Sequence, residues 1–474
     1  MRFGISKLAA KTVKLGLRLM GRGATTLPGK TALKFDPDAI KKAAEGKFII
    51  TVTGTNGKTT TSHMISEMIA SLGDYEVINN ISGANLASGI ATTLICEKPK
   101  TDKKTIYVLE TDEAAFAKIA GSLKPKISVV TNLFRDQLDR YGELTHTRDL
   151  IASGIDKTSA KLILNSDDSL VAALGKGRED RSLFFGMSKE SMTYNNKTYP
   201  SRKGVLKASS DAVYCPECKV KYEYNSRSFS HLGDFYCPSC GFKSPSTTYE
   251  VIYDLKNSPS DEGYVFEIKK GEEKEELSLK IPGMHNLYNT CAAVSAVTEM
   301  LKLEGREEPF KKACKASSEV KAAFGRMEKI DLPGGKKLCI LLVKNPAGLD
   351  RSLSFVSEAH DAKSLMFLLN SNIADGKDVS WIWDVDFESK VDMLPKKIYV
   401  SGERYGDMLL RVNYSGKDKK DLESAPMSDA VKLLKKAVEE CEEGGCVYVL
   451  PNYTAMLDLR GRLVSELGIK DFWK

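Results

Sequence analysis

Long apolar runs are what this chain most clearly lacks. No stretch of its 474 residues approaches the ~18 to 20 apolar residues of a membrane-spanning helix, which excludes a helical integral membrane protein. Charge of one sign is scarce as well, since 70 basic against 63 acidic residues leave a formal net charge of +7. That mild excess suits an anionic substrate or an anionic membrane surface without demanding nucleic acid. Internal repeats and low-complexity segments are absent. The N-terminal stretch MRFGISKLAAKTVKLGLRLMGRG lacks the uninterrupted apolar core of a secretory signal. Its Ile5, Leu8, Val13, Leu17 and Met20 fall near one helical face, which predicts an amphipathic helix packed on the first domain, with membrane-surface contact as the alternative. Without export, the chain is expected in the reducing cytoplasm, with its ten cysteines outside disulfides.

What the chain does have starts at residue 50, with ITVTGTNGKTTTSHMISEMI. Phe48 to Thr53 read as a buried strand, and Thr60 to Ser71 as a helix with Met64, Ile65, Met68 and Ile69 on one face. The loop between them aims backbone N–H groups and the positive end of a helix at an anion. Val52 stands where the commonest phosphate loop has its first glycine, five residues before the Gly57-Lys58 pair. The chemistry survives that departure: Lys58 can reach β- and γ-phosphate oxygens, and the Thr59 hydroxyl can ligate Mg2+. Gly54, Thr55, Asn56, Gly57, Lys58, Thr59 and Thr60 are the expected nucleoside triphosphate cradle.

Four cysteines form a second pattern. Cys215 and Cys218 make one C-x2-C knuckle, Cys237 and Cys240 another, with eighteen residues between the two. Four thiolates so placed make the closed tetrahedral site of structural zinc. Tyr222, Tyr224, Phe229, Phe235 and Tyr236 read as the small core of that ribbon rather than as a stacking surface for bases. Cys96, Cys291, Cys314 and Cys339 read as packing residues, as do Cys441 and Cys446, which have no obvious partner.

Strands and helices alternate up to about residue 185. Strands at Ile106 to Leu109, within residues 126–143, and within residues 160–174 end in Glu110, Asp112 and Glu113, in Thr131 and Asn132, and in Asn165, Asp167 and Asp168. In a doubly wound parallel sheet these ends share one rim with the phosphate loop, where carboxylates can bind Mg2+. Residues 186–280 interrupt the rhythm with the ribbon and a hairpin, GYVFEIKKGEEKEELSLKI, and read as an insertion. Helix resumes in IPGMHNLYNTCAAVSAVTEM. A second α/β sheet then runs through KKLCILLVKNP, AKSLMFLLN, VSWIWDVDFE, KKIYVSG and GCVYVLPNY. The expected units are an N-terminal helical segment (1–45), a central ATP-binding domain (46–328) carrying the ribbon at about 205–250, and a smaller Rossmann-like C-terminal domain (329–474).

GTNGKTTT, TNLFRDQLDRYGE, GMHNLYNTCAAVSA, FGRME and VKNPAG resemble, in this order, the signature segments of the Mur ligase family. The resemblance runs from about residue 30 to the C-terminus and implies amide formation through an ATP-derived acyl phosphate. The ribbon, VKNPAG and DVSWIWDVDFE select a branch of that family that converts the D-glutamate α-carboxylate of a lipid-linked stem peptide to D-isoglutamine. Only about fifty residues precede the loop, too few for the usual UDP-binding domain, so a UDP-sugar substrate is not expected. By resemblance, Lys58 and Mg2+ held by Thr59 and Glu110 neutralise the transferring phosphate, Asn286 contacts the base region, Arg326 reaches the phosphates, and Lys344 meets the γ-phosphate on domain closure. A GatD-type glutaminase is the implied partner and ammonia source, in a heterodimer. Asp384, with Asp378 and Asp386 behind it, is the candidate to complete that partner's catalytic triad. Trp381 and Trp383 alternate as in a strand and fit either core or partner interface.

Two positions depart from the family pattern. Gln137 follows Asp136 where many Mur ligases have a metal-binding histidine, and no lysine occurs between there and Lys157 to be carbamylated. A second magnesium site of the usual kind is therefore in doubt, with Asp112, Glu113 or Asp136 as substitutes. The rival readings are an amino-acid-adding or folylpolyglutamate-type ligase, which would normally carry the missing histidine and lysine, and a zinc-ribbon nucleic-acid NTPase, against which the modest charge argues.

Overall fold

The computed structural model of the chain describes residues 2–21, 24–80, 84–135, 144–192, 212–254, 264–279, 283–320, 328–372 and 375–467. Three helices come first, α1 (Arg2–Leu19), α2 (Leu27–Phe35) and α3 (Ala39–Ala44). Apolar strands separated by helices then follow the crossover rule and lie parallel. These are β1 (Phe48–Thr53), β2 (Tyr75–Asn79), β3 (Lys104–Glu110), β4 (Ile127–Val130), β5 (Lys161–Asn165) and β6 (Ser182–Met187). Between them run α4 (Lys58–Ser71), α5 (Ala87–Cys96), α6 (Glu113–Leu123), α7 (Leu144–Ile155) and α8 (Ser169–Ala173).

The ribbon hairpin, β7 (Glu223–Phe229) and β8 (Leu232–Tyr236), is a separate two-stranded sheet. The second hairpin expected within the insertion instead extends the main sheet. β9 (Tyr249–Ile252) pairs in parallel with β6, and β10 (Tyr264–Lys270) and β11 (Glu273–Leu279) add antiparallel, giving the order β11-β10-β9-β6-β5-β4-β1-β3-β2. One face is covered by α4, α9 (His285–Leu303) and α10 (Pro309–Ser317). α9 is buried at every residue from Asn286 to Leu301, which is why its apolar residues do not form a single stripe.

The C-terminal unit is a six-stranded sheet of β12 (Glu328–Asp331), β13 (Lys337–Ile340), β14 (Ala362–Leu368), β15 (Lys397–Ser401), β16 (Leu422–Ser424) and β17 (Cys446–Pro451), in the order β12-β13-β17-β14-β15-β16. Only β12 is antiparallel to its neighbour. α11 (Pro346–Glu358) and α12 (Tyr405–Tyr414) pack on one face, α13 (Ala430–Glu440) and α14 (Tyr453–Leu467) on the other. No helix among the described residues is long and apolar enough to cross a membrane.

Two expectations are corrected here. VSWIWDVDFE is not a strand: Ser380–Asp384 form a 3-10 turn, started where Asp378 Oδ1 accepts from the Ser380 backbone N–H at 2.8 Å. That local bond competes with sheet pairing. Trp381 packs on the core, while Trp383 stays 45% exposed with its ring 5.6 Å from Tyr414. α1 packs on α2 and α5 as expected, but only part of its expected apolar face turns inward: Val13 and Leu17 are half-buried beside the buried Ser6 and Ala10, while Ile5, Leu8 and Met20 point outward.

Candidate active site

β1 delivers the loop to the carboxyl rim, and the segment after β4 holds it there. The Thr55 N–H donates to Asn132 O at 2.7 Å, and the Asn56 N–H to Asn132 Oδ1 at 2.9 Å. Asn56 O accepts from Thr131 Oγ1 at 2.7 Å and from Asn132 Nδ2 at 3.0 Å, and the Phe134 N–H donates to Thr55 Oγ1 at 3.1 Å. The loop is thus templated over both its backbone and its side chains. Gly54, at φ 117°, has no room for a Cβ, which would stand 2.5 Å from Thr131 Oγ1. Gly57, at φ 83°, leads into α4, and its Cβ would stand 2.3 Å from Asn289 Oδ1.

These features fit an anionic ligand. The first turn of α4 carries no acidic side chain. Asn56 Nδ2 is buried without a hydrogen-bond partner in the protein, a donor left for an incoming oxygen. Lys58 Nζ is gathered under the loop, donating to Gly54 O, to Thr55 O at 3.2 Å and to Glu113 Oε1 at 3.2 Å. Burial pushes the Glu113 carboxyl up, and the charges of Lys58 and Lys344 oppose that rise. Thr60 is buried and Thr59 half-buried.

Glu110 ends β3 beside the loop, in register with Val52 of β1. Asn80 grips its backbone from both sides, donating to Glu110 O at 2.8 Å and accepting from its N–H at 2.9 Å. Glu110 Oε1 accepts from Asn85 Nδ2 at 3.2 Å.

Other rim carboxylates have structural work. Asp112 caps α6 through the N–H groups of Ala114 and Ala115. Asp168 caps α8 and also accepts from the Leu133 N–H at 2.7 Å. Asp167 accepts from the Met187 N–H at 2.9 Å, Tyr288 Oη at 2.6 Å and Ser166 Oγ at 2.8 Å, and burial still raises it to about 6. The reading of Asp167 and Asp168 as metal-rim residues is corrected accordingly: their oxygens are occupied by protein donors.

Those two aspartates anchor the ribbon. Its turn places His231, fully buried, with Nε2 3.3 Å from Asp168 Oδ2 and its ring 4.6 Å from Phe134. Ser228 Oγ lies 2.7 Å from Tyr288 Oη, and the Gly233 N–H donates to Asp167 O at 2.9 Å. At the other end, the sulfurs of Cys215, Cys218, Cys237 and Cys240 all lie within 4.8 Å of one another. A tetrahedral ion with bonds of about 2.3 Å needs sulfurs about 3.8 Å apart; Cys215 to Cys240 is 3.6 Å and Cys218 to Cys237 3.3 Å. The Val220 backbone N–H favours the Cys218 thiolate and helps bring that thiol down to about 6. The four residues fit zinc. Tyr222 and Phe235 pack against Cys215 and Cys237 as the module's core.

The C-terminal unit closes over the cradle. Asn345 caps α11 by accepting from the Gly348 N–H at 2.8 Å, and its Nδ2 donates to Asn56 Oδ1 at 3.1 Å. Ala347 joins the core of the first unit, and the Arg351 guanidinium sits 5.3 Å over the Phe134 ring. Lys344, next to Asn345, is half-buried. Asp384 is 50% exposed and 3.6 Å from Arg135. Asp378 and Asp386 are turned to local bonds, with Ser380 and with Ser389.

Of the expected phosphate-site residues, Asn286 is brought near the loop through Asn289, whose Nδ2 donates to Asn286 Oδ1 at 3.0 Å and whose Oδ1 accepts from Thr61 Oγ1 at 3.3 Å. Met284 occupies the cap position of α9, and Asn286 is buried in its first turn. Arg326, Asp136 and Gln137 lie outside the described residues. Sequence alone assigns no role to Asn289 or Asn345, and Thr131 and Asn132, legible only as a strand end at the rim, template the loop. Asn289 was reachable, because it stands one helical turn from Asn286 in the same motif.

Comparison with known proteins agrees with this geometry. Residues 52–223 match the Mur ligase middle domain, and residues 342–456 match the MurT ligase C-terminal family. The chain is 34% identical to the lipid II isoglutaminyl synthase (glutamine-hydrolysing) subunit MurT of Streptococcus pneumoniae, over 97% of this chain and 96% of that one. It is 31% identical to the same subunit of Staphylococcus aureus, over 96% of each. Among solved structures it resembles a pseudomurein peptide ligase type C from Methanothermus fervidus, with a TM-score of 0.64, 19% identity, and coverage of 90% of this chain and 80% of that one. It also resembles the MurF ligase of Thermotoga maritima in complex with ADP, with a TM-score of 0.58, 13% identity, and coverage of 93% and 84%. Those structural likenesses concern the fold, whereas the near full-length sequence matches place the chain more narrowly. It belongs to the MurT family of Mur ligases.

Proposed function

We propose that this chain is the synthase subunit of a lipid II isoglutaminyl synthase. It uses ATP to activate the α-carboxylate of D-glutamate in the lipid II stem peptide and delivers ammonia to it. The observation that carries the reading is the full-length likeness to MurT subunits, joined to a loop built for a triphosphate.

A carboxylate oxygen attacks the γ-phosphorus, the β–γ bridging bond breaks, and ADP leaves. Ammonia then attacks the acyl carbon, inorganic phosphate departs with the C–O electron pair, and loss of a proton leaves the amide. The first step brings two anions together, so it needs positive charge at the transferring group. Lys58 provides it from below the loop, exchanging its bonds to Gly54 O and Thr55 O for phosphate oxygens. Lys344 provides it from the opposite unit, and Arg326 is assigned to the phosphates beside it. Thr59 and Glu110 would hold the Mg2+ that neutralises the phosphate oxygens. Gly54 to Thr60 offer donors to the phosphates, and Asn286 contacts the base region. The four ribbon thiolates would hold a structural Zn2+.

A GatD-type glutaminase supplies the ammonia in this reading. Asp384 is the residue offered to its histidine, since it is half exposed and not spent on capping its own turn. Trp383 and Tyr414, exposed and in ring contact, form an apolar surface patch suited to a protein partner. The reading places the complex in the cytoplasm, where ATP is available.

Mass spectrometry of D-glutamate-containing lipid II, incubated with the chain, ATP, Mg2+ and ammonium chloride, tests the reaction. The expected product carries NH2 in place of OH, with one ADP per amide. Absence of that product, both alone and with the glutaminase subunit and glutamine, would refute the reading. Asp384→Asn should keep ammonia-dependent amidation and lose the glutamine-dependent reaction; equal loss of both would remove Asp384 from the triad.

A further inference from the structure

α1 packs one face on the domain and leaves a second apolar face exposed. Its inward face meets α2 through small residues, with Ala10 fully buried and Ser6 Oγ donating to Ala32 O of α2 at 2.9 Å, and Phe3, Val13 and Leu17 half-buried beside them. Lys14 is drawn inward as well, paired with Glu97. The outward face carries Ile5, Leu8, Thr12, Leu15 and Leu19, at successive steps of three and four residues, so they form one stripe along the helix. Ile5 is 52% exposed, Leu8 68%, Leu15 60% and Leu19 80%. A helix that leaves Ile5, Leu8, Leu15 and Leu19 in one exposed stripe is not finished by the fold around it.

The charge distribution says what would finish it. α1 contains Arg2, Lys7, Lys11, Lys14 and Arg18 and no acidic residue. Residues 1–47 hold eleven Lys and Arg against three Asp and Glu, a net +8, while the remaining 427 residues hold 59 against 60. The whole positive excess of the chain therefore lies in this helical layer. Lys7 and, from the loop after α5, Lys98 act on Lys11, and burial together with these like charges brings the Lys11 ammonium down from its ordinary value. Such a layer repels another copy of itself and attracts an anionic surface. The layer also adjoins the active-site rim: Gly29 of α2 packs against Ser88 and Thr92 of α5, just beyond the Asn85 that reaches Glu110.

We propose that α1 docks on an anionic lipid bilayer surface, its leucine stripe at the acyl boundary and its flanking lysines and arginines on the headgroups. This mode of binding combines apolar burial with about one favourable contact per basic side chain, and it weakens with salt. It goes beyond the proposed reaction, and a lipid-linked substrate would then be met at the surface that carries it.

Flotation of the full chain with vesicles, in the absence of ATP and lipid II, tests the docking separately from the reaction. Vesicles of phosphatidylglycerol and phosphatidylcholine should bind the chain at least about tenfold better than phosphatidylcholine alone, and binding should fall in 0.5 M salt. Leu8→Glu/Leu15→Glu/Leu19→Glu should abolish binding while leaving Tm unchanged, because these side chains bury little. Lys7→Glu/Lys11→Glu, which spares the leucines, should remove the anionic preference. A wild-type chain that stays off anionic vesicles overturns the proposal, as does a leucine variant that binds like wild type. A concentration-dependent dimer in sedimentation velocity, dispersed by the leucine variant, would assign the stripe to a second copy and overturn it too.

Discussion

Substitution of Asn345 probes the joint on which the two-unit site depends. The residue is 1% exposed, accepts from the Gly348 N–H at 2.8 Å to cap α11, and donates to Asn56 Oδ1 at 3.1 Å across the joint. Asn345→Ala removes both bonds. A lost cap costs about 1 kcal/mol, and an unpaired buried oxygen on Asn56 costs about 1–2 kcal/mol more. Asn345→Ser keeps a capping hydroxyl but lacks the amide donor, so it should lose only the second contribution. At about 3 °C per kcal/mol for a unit of this size, Tm should fall by about 6–9 °C for alanine and about 3–6 °C for serine. Scanning calorimetry of the ligand-free protein reads both values, and a cycle with Asn56→Ala should return a coupling of about 0.5–1.5 kcal/mol. If both variants melt like wild type and the coupling is zero, the two sheets are not joined at this point in solution. The placement of Lys344 opposite Lys58 would fail with it.

Three further outcomes follow from the same geometry. Gly57→Ala must adopt a left-handed backbone and place a Cβ 2.3 Å from Asn289 Oδ1, so titration calorimetry should show ATP binding at least about tenfold weaker; unchanged affinity would refute the loop's described conformation. Cys237→Ser should release the metal, measured by atomic emission, and should also weaken ATP binding, because the ribbon turn holds His231 against Phe134 and Asp168; a metal-free protein with full ATP affinity would show that the ribbon does not support the loop. Asp167 sits at about 6 in the fold against about 3.9 unfolded, so the stability tied to its proton is fully present below pH ~3.9 and lost as pH rises through about 6, a swing of about 3 kcal/mol. Urea unfolding from pH 4 to 7 should show that fall, Asp167→Asn should flatten it, and an identical slope in the variant would assign the pH dependence elsewhere.

The parts of this protein that could be read from its sequence are those whose chemistry is local. The phosphate loop announces itself because strand, glycines, lysine and helix are contiguous, and the ribbon because each knuckle supplies two thiolates from one turn. What stayed hidden was made by residues far apart. Asn132 templates Asn56 across 76 positions and Asn345 reaches it across 289, and no periodicity encodes either meeting. Trp381 and Trp383 mimicked a strand because two aromatics two residues apart read as one face, but in a 3-10 helix of three residues per turn they diverge, Trp381 to the core and Trp383 to the surface, and the Asp378 bond started that turn. Acidic residues at strand ends posed the opposite problem. Glu110 and Asp168 look alike in sequence, but the backbone N–H groups of Leu133, Leu170 and Val171 converge on Asp168, whereas Glu110 receives one side-chain amide and keeps capacity for an ion. α1 shows the deepest limit. A helical period predicts that one face is apolar, but which face turns inward depends on how closely the neighbouring backbone can approach. Ser6 and Ala10 allow α2 to come near enough for a hydrogen bond from Ser6 to Ala32, and leucines in their place would hold it away. Leu8, Leu15 and Leu19 therefore stay outward, and the basic charge around them is what the proposed bilayer docking would use.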